Sequence, residues 1–114
     1  MDQYAERLDA VFHALADPTR RAVLGRLGTG PATISQLAGP FDMALPSFMK
    51  HIHLLERSGL IRTRKDGRVR TCTLQRKQFA VVDTWLARQR AIWEARADRL
   101  ARVAESMHGK ESSR

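Results

Sequence analysis

The segment PSFMKHIHLLERSGLIRTRKDGRVRTCTL, residues 46–74, decides the fold. Its first half repeats apolar side chains every three or four residues, which predicts an amphipathic helix over about residues 45–58. Its second half reads as two strands around Asp66-Gly67, a pair that favours a hairpin turn of type I′. The segment therefore predicts a helix followed directly by an arginine-rich hairpin, or wing, over about residues 62–72.

The two faces of this predicted helix differ in chemistry. The apolar face is formed by Leu45, Phe48, Ile52 and Leu55. Polar side chains on the other side are assigned to a DNA-binding surface, namely Ser47, Lys50, His51 and, at the flank, His53. Helix-turn-helix proteins read the major groove with the first residues of their second helix. The weaker alternative is an ordinary amphipathic surface helix.

Positive charge is concentrated in the same part of the chain. The 114 residues have a formal net charge of +8, and residues 47–77 hold nine Lys or Arg against two Asp or Glu. Such a local excess is typical of a polyanion-binding surface. At the hairpin we predict DNA contacts from Arg64, Lys65, Arg68 and Arg70, along phosphates or in the minor groove. Alternatively, these charges only protect a solvated edge hairpin from pairing with other strands.

Three helices are predicted before the segment. The first carries an apolar stripe of Tyr4, Leu8, Val11, Phe12 and Leu15. The second begins at Pro18 with Asp17 as its N-cap. The third follows Thr33, which forms a capping-box pattern with Gln36. Because a short turn joins the third helix to the fourth, the pair is a candidate helix-turn-helix.

A last helix is predicted from near Phe79 to about Met107. At about 40 Å it is longer than a body of this size, so part of its apolar side needs another chain. We predict a homodimer whose interface comprises Tyr4, Leu8, Val11, Phe12, Trp85, Trp93 and Leu100. Residues 1–107 are predicted as one winged-helix domain with N- and C-terminal dimerisation helices, and residues 108–114 as a flexible tail.

Other classes of function have little support. The single cysteine, Cys72, forms no intrachain disulfide and suits a reducing compartment. No apolar run approaches a membrane span, and the polar N-terminus is unlike a signal peptide, so a cytoplasmic protein is expected. His51 and His53 point apart on a helix, and we predict no metal site and no cofactor. A substrate pocket at Trp85 and Trp93 is a weaker alternative to their packing role.

Three stretches in this order resemble the ArsR family of winged helix-turn-helix regulators: FHALADPTRRAVLGRL, TISQLAGPFDMALPSFMKHIHLLERSGLI and RTRKDGRVRTCTL. The resemblance covers about residues 8–93. It implies a homodimer with the first and last helices at the interface. It also implies that the fourth helix lies in the major groove and the wing on the flanking backbone. Family members usually repress transcription by occupying operator DNA.

Two departures from the family pattern limit what carries over. Metal-sensing members have a Cys-x-Cys motif before the recognition helix, where this chain reads Ile34-Ser-Gln-Leu37. The recognition helix often reads Ser-x-Pro-x-x-Ser-Lys-His, and here Ala44 and Met49 replace the serines. Family contacts therefore carry over only to Lys50 and His51.

The combined prediction is a mainly α fold with a small β-hairpin wing and a long C-terminal dimerisation helix. Its predicted function is that of a homodimeric repressor that binds double-stranded DNA at an inverted-repeat operator, with no enzyme activity and no membrane partner. The alternative is a winged-helix interaction module that binds an acidic protein.

Overall fold

The computed structural model describes residues 2–112. In chain order its elements are α1 (Gln3–Leu15), α2 (Pro18–Leu27), β1 (Ala32–Thr33), α3 (Ile34–Ala38), α4 (Leu45–Arg57), β2 (Ile61–Asp66), β3 (Val69–Leu74), a 3-10 turn (Arg76–Gln78) and α5 (Phe79–Ser112). The chain divides into two compact units between Val82 and Asp83. The mainly α fold with a small β wing and a long C-terminal helix, predicted from the sequence, is confirmed.

The starts of α2 and α3 are capped as predicted. The Asp17 carboxylate accepts a hydrogen bond from the backbone N–H of Arg20 at 3.0 Å, and Pro18 occupies the first turn. At α3 the Thr33 hydroxyl accepts from the Gln36 amide at 3.2 Å, and the Gln36 side chain accepts from the Thr33 amide at 2.9 Å. Both caps satisfy backbone donors that a helix start leaves unpaired.

The sheet has a third strand that the sequence did not predict. Its order is β1-β3-β2, all antiparallel, and β1 pairs Ala32 with Cys72 and Thr33 with Thr71. A strand of two residues is too short to show alternation, so no sequence pattern marks it. Because Thr33 also caps α3, this strand ties the wing to the start of α3.

The hairpin turn lies one residue later than predicted. Asp66 pairs with Val69, so the two-residue loop is Gly67-Arg68 and not Asp66-Gly67. Gly67 has φ +64°, and no residue other than glycine has a positive φ among residues 2–112. Type I′ needs a positive φ at both loop positions, whereas type II′ needs it only at the first. The predicted type I′ turn is therefore wrong, and Arg68 stands at the tip.

The hydrophobic core of the first unit is built around α4. Phe48, Ile52 and Leu55 are fully buried, as predicted, and the Phe41 ring packs on Phe48 with 5.7 Å between centroids. Leu45 was predicted on the same face but is 56% exposed. It is the first residue of α4 and lies beyond the edge of the core, so its helical phase did not ensure burial.

The C-terminal end of α4 is closed by a glycine turn. Gly59 directly follows the predicted end of this helix and has φ +79°, and an added Cβ would lie 2.5 Å from the Gln78 side-chain nitrogen. That nitrogen donates to the Ser58 carbonyl at 3.2 Å. The Gln78 oxygen accepts from Arg7 on α1 at 2.8 Å. The close approach of Gln78 thus links the end of α4 to α1.

The apolar stripe of α1 faces mostly inward. Val11 is fully buried in the core and Leu8 nearly so, whereas Phe12 is 39% exposed. The Tyr4 hydroxyl donates to the Val81 carbonyl at 3.3 Å. Val11 has no accessible surface for a second chain, which corrects its place in the predicted dimer interface. Its position in the stripe reflects packing within the protomer.

The second unit consists of α5 from Asp83 onward. The helix extends to Ser112, beyond the predicted end near Met107, so residues 108–112 of the predicted tail are helical. Ser113 and Arg114 lie outside the described residues. Every residue from 91 to 109 is exposed, including Trp93, Leu100, Val103 and Met107. No helix among residues 2–112 is long and apolar enough to cross a membrane.

Candidate nucleic-acid interface

The start of α4 is exposed and lacks a side-chain cap. Its N-cap residue is Ala44, whose methyl group accepts no hydrogen bond, and Pro46 follows within the first turn. The first amides of a helix lack intrahelical partners, and the helix dipole places partial positive charge there. This helix start can therefore accept an anionic group such as a phosphate.

The predicted contact residues of α4 have different environments. Ser47, Lys50 and His53 are exposed, so their side chains are available to a ligand. His51 is only partly exposed, because its ring is held against the body of the protein. The structure thus presents three of the four side chains openly and orients the fourth through an internal contact.

The wing carries its cations close together. Arg64, Lys65 and Arg68 are exposed, and Arg70 is half-buried. Lys65 pairs directly with Arg70 across the two strands. Like charges at opposed positions destabilise a hairpin, because side chains there lie about 5 Å apart. A polyanion that neutralises both charges would remove this repulsion.

A groove of about 440 Å³ brings the wing and the start of α4 together. Its cationic side is formed by Lys65, Arg68 and Arg70. Its apolar and small polar lining consists of Thr33, Ile34, Ser35, Leu45, Met49 and Val69. The groove shows why Leu45 is exposed, since this residue belongs to a concave surface outside the core.

One hydrogen bond and one buried side chain hold β2 and β3 in place behind this surface. The Thr63 hydroxyl donates to the carboxylate of Glu56 on α4. Cys72 on β3 is fully buried. Burial, and secondarily the charge of Glu56, raises the pKa of the Cys72 thiol to about 11. The thiol is therefore protonated at neutral pH and packs as a small apolar side chain.

Arg20 contacts His51 on α4 and was not predicted from the sequence. This side chain on α2 is only 9% exposed. Its Nε donates to the Ala14 carbonyl at 2.8 Å and its Nη2 to the His13 carbonyl at 3.0 Å. Its Nη1 lies 3.2 Å from Nδ1 of His51. Periodicity does not separate Arg20 from the exposed Arg21 beside it, so no sequence signal marked the buried one.

Asp17 adds a negative charge beside this contact. Its carboxylate lies 3.7 Å from Nδ1 of His51. The hydrogen bond from the Arg20 backbone amide is the main cause that lowers the pKa of Asp17, and the nearby Arg20 charge acts in the same direction. Partial burial opposes them. Asp17 is therefore ionised at neutral pH. It caps α2 and also places a negative charge near His51.

Comparison with known proteins identifies the family. A helix-turn-helix domain model matches residues 15–64. The HTH-type transcriptional regulator Rv2034 of Mycobacterium tuberculosis is 34% identical over 80 residues, which cover 70% of this chain and 75% of Rv2034. A crystal structure of an ArsR family transcriptional regulator is 67% identical with a TM-score of 0.79, covering 82% of this chain and 97% of that one. The chain belongs to the ArsR family of transcriptional regulators.

This ArsR-family chain is a DNA-binding transcriptional regulator. Transcriptional repressor SdpR of Bacillus subtilis is a further relative, 33% identical over 60 residues that cover 53% of this chain and 67% of SdpR. The matched helix-turn-helix region runs from the end of α1 into β2. It therefore contains the capped starts of α2 and α3, the exposed face of α4 and the first four residues of β2.

The ArsR-family chain has no sulfur in the α3 segment Ile34-Ser-Gln-Leu37. Within the described part of the chain, residues 2–112, no group of three or more His, Cys, Asp or Glu is placed to hold a metal ion. The one cysteine, Cys72, is fully buried in the sheet.

Proposed function

We propose that this regulator is a sequence-specific repressor that binds an inverted-repeat operator as a homodimer in the cytoplasm, and that it is not an enzyme. The observation that carries the proposal is the groove between α4 and the wing. It combines an uncapped helix start with three cationic side chains on one concave surface. A repressor role is further supported by the similarity to SdpR, which is named as a transcriptional repressor.

The proposed binding mode places α4 in the major groove. Ser47, Lys50 and His53 would face base edges and phosphates, since all three are exposed on the first turns or their flank. The amides at the start of α4 would face a phosphate. Lys50 is the main candidate for a base contact, because an ammonium group can donate to the O6 and N7 acceptors of guanine.

The wing would follow the DNA backbone beside the recognition helix. Arg64, Lys65, Arg68 and Arg70 supply charge without acidic neighbours other than Asp66 in the hairpin. The opposed pair Lys65 and Arg70 costs stability in the unbound protein. Binding to phosphates would relieve that repulsion, so the cost contributes to affinity for a polyanion and to salt dependence.

The homodimer is supported by the surface of α5. Trp93, Leu100, Val103 and Met107 are all more than half exposed along one helix, a large amount of apolar surface for a single chain. A second copy of α5 would cover it, and Tyr4, Leu8, Phe12 and Trp85 are the remaining predicted contacts. Two-fold symmetry would then present two recognition helices about 34 Å apart, one turn of DNA.

The test begins with genomic fragments selected by the purified protein, which define the operator. Lys50→Ala should weaken operator binding by about 1–3 kcal/mol and reduce the preference over unrelated DNA. A charge-matched control is Arg26→Ala, on exposed α2 surface away from the groove. Equal affinity of wild type and Lys50→Ala on every duplex would remove α4 from the interface.

The alternative function, binding of an acidic protein, predicts a different result. Contact with DNA phosphates gives a linear fall of log affinity with log salt, of slope about −0.9 per neutralised phosphate. Arg64→Ala with Arg68→Ala should flatten this slope by up to about two units. Absence of any preferred DNA site, together with tight binding to an acidic polypeptide, would favour the alternative.

A further inference from the structure

We propose that Arg20 is a positioning residue for DNA recognition, because its guanidinium holds His51 as the neutral tautomer protonated at Nε2 and thereby makes Nε2–H a hydrogen-bond donor to DNA. The inference rests on the proposed function, since it assigns a role to one of the predicted contact residues. It adds a residue of α2 to the recognition surface of α4.

The position of Arg20 is determined by bonds that do not involve DNA. Two of its nitrogens donate to carbonyl oxygens at the end of α1, those of His13 and Ala14, at 3.0 and 2.8 Å. These carbonyls belong to the last turn of α1, where the usual donors four residues further along are missing, and that of His13 also accepts from the Ala16 backbone N–H at 3.2 Å. The guanidinium is planar. Because Nε and Nη2 are held by these two hydrogen bonds, the direction of Nη1 is fixed as well. That third nitrogen lies 3.2 Å from Nδ1 of His51.

This contact decides the protonation of the imidazole. A guanidinium only donates hydrogen bonds, so Nδ1 of His51 must accept and carries no proton. A neutral imidazole then has its single proton on Nε2. The Asp17 carboxylate, the other charged group facing the ring, lies 3.7 Å from Nδ1, beyond hydrogen-bond distance. Asp17 therefore does not compete with Arg20 for Nδ1.

The second ring nitrogen is available to a ligand. Both polar contacts of His51 use Nδ1. Within residues 2–112 no buried side-chain nitrogen or oxygen lacks a hydrogen-bond partner. Nε2 has no such partner, so it must reach the surface. It does so on α4, one residue after Lys50.

A fixed donor has a consequence for recognition. Nε2–H can donate to a phosphate oxygen, or to the major-groove acceptors N7 and O6 of guanine, N7 of adenine and O4 of thymine. It cannot accept from the amino groups of adenine or cytosine. A histidine without Arg20 would exchange between tautomers and offer either role. Arg20 thus restricts His51 to one hydrogen-bonding role before DNA arrives.

The first experiment observes the ring directly. Long-range proton–nitrogen correlation spectra of the ¹⁵N-labelled full chain at neutral pH should show His51 as the Nε2–H tautomer. His53, whose side chain is exposed, should show the mixture typical of a solvated imidazole. A mixed population, an Nδ1–H tautomer or a doubly protonated ring at His51 would overturn the proposal.

The second experiment uses two replacements that each keep one end of the imidazole. His51→Gln places its amide near the position of Nε2 and keeps a donor for DNA. His51→Asn places its amide near Nδ1 and keeps the partner of Arg20 but not that donor. Operator affinity should stay within about threefold for His51→Gln and fall about tenfold for His51→Asn. Equal losses, or the opposite order, would contradict the proposal, and His108→Asn is the control histidine.

A third variant removes the guanidinium. Arg20→Met should let His51 exchange between tautomers and weaken operator binding, and combining it with His51→Asn should add little further loss. Full additivity of the two losses would show that Arg20 does not act through His51. If Arg20→Met does not fold, the proposal is still tested by the spectra and by the affinities of His51→Gln and His51→Asn. If the wild type binds no preferred DNA site, the proposed function fails, while the spectra still report on the Arg20–His51 contact.

Discussion

The residues up to Val82 and the residues from Asp83 onward use apolar side chains in opposite ways. The first unit buries Val11, Phe48, Ile52 and Leu55 within itself. In the second unit all residues from 91 to 109 are exposed, including Trp93. Both stretches show helical periodicity in the sequence, yet only the first has a core. Periodicity therefore marks which side of a helix is apolar, and the contacts decide whether that side is covered within the chain.

This difference predicts two kinds of response to mutation. Truncation of an apolar side chain in the first unit should destabilise the protomer whatever its concentration. Truncation in the second unit should act through association with another chain, so its effect should depend on concentration. Truncation of an exposed side chain at the start of α4 should have little effect on either.

The largest effect is expected for Phe48→Ala. The ring is fully buried and packs on Phe41, so its removal should lower the free energy of unfolding by about 3–5 kcal/mol. Urea denaturation at two protein concentrations measures the loss and whether it stays constant. A loss below about 1 kcal/mol would mean that the core described here does not stabilise the first unit.

A smaller effect is expected for Trp93→Ala. The side chain is 51% exposed in the protomer, and burial of that remainder in a dimer would contribute about 2–3 kcal/mol to association. Sedimentation equilibrium should show weaker dimerisation, and operator binding should weaken although this residue contacts no DNA. Glu94→Ala, also exposed on α5, is the neighbouring control. A wild type that is monomeric at micromolar concentration, yet binds an inverted repeat tightly, would contradict the dimer.

Ala44→Ser should stabilise the protein. A serine hydroxyl can accept from the first-turn amides of α4, which have no side-chain cap, and such caps contribute about 1 kcal/mol. Operator affinity should not rise with stability, because the new cap would occupy amides that we propose face a phosphate. Ala44→Val, which adds no acceptor, is the control. A parallel gain in stability and affinity would argue against a phosphate at this helix start.

The smallest effect on stability is expected for Leu45→Ala. This side chain is 56% exposed, so its truncation should change the free energy of unfolding by about 0.5 kcal/mol or less. It lines the groove beside the wing cations, so operator binding is the property to measure next to stability. A destabilisation near that of Phe48→Ala would show that Leu45 is buried in the core, as its place on the predicted apolar face implied.

Much of the candidate interface was predictable because its signals are local. The excess of positive charge is found by counting charged residues along the chain. The helical phase of Lys50 and Ser47 placed both on an exposed face. The wing was visible from two alternating runs around a glycine. The register of its two strands was not predictable, because Asp66-Gly67 and Gly67-Arg68 are both acceptable loops. In the structure Asp66 pairs with Val69, which makes Gly67-Arg68 the loop.

The sequence by itself determined the order of the helices, the caps at Asp17 and Thr33, and the turn at Gly59, because each depends on residues within four positions of one another. Only the tertiary structure decided that Val11 is interior, that Leu45 lines a groove and that two residues form a third strand with β3. It also decided the contact of Arg20 with His51, whose positions are 31 residues apart. Contacts of this kind depend on how complete helices pack, and no short-range pattern encodes that packing.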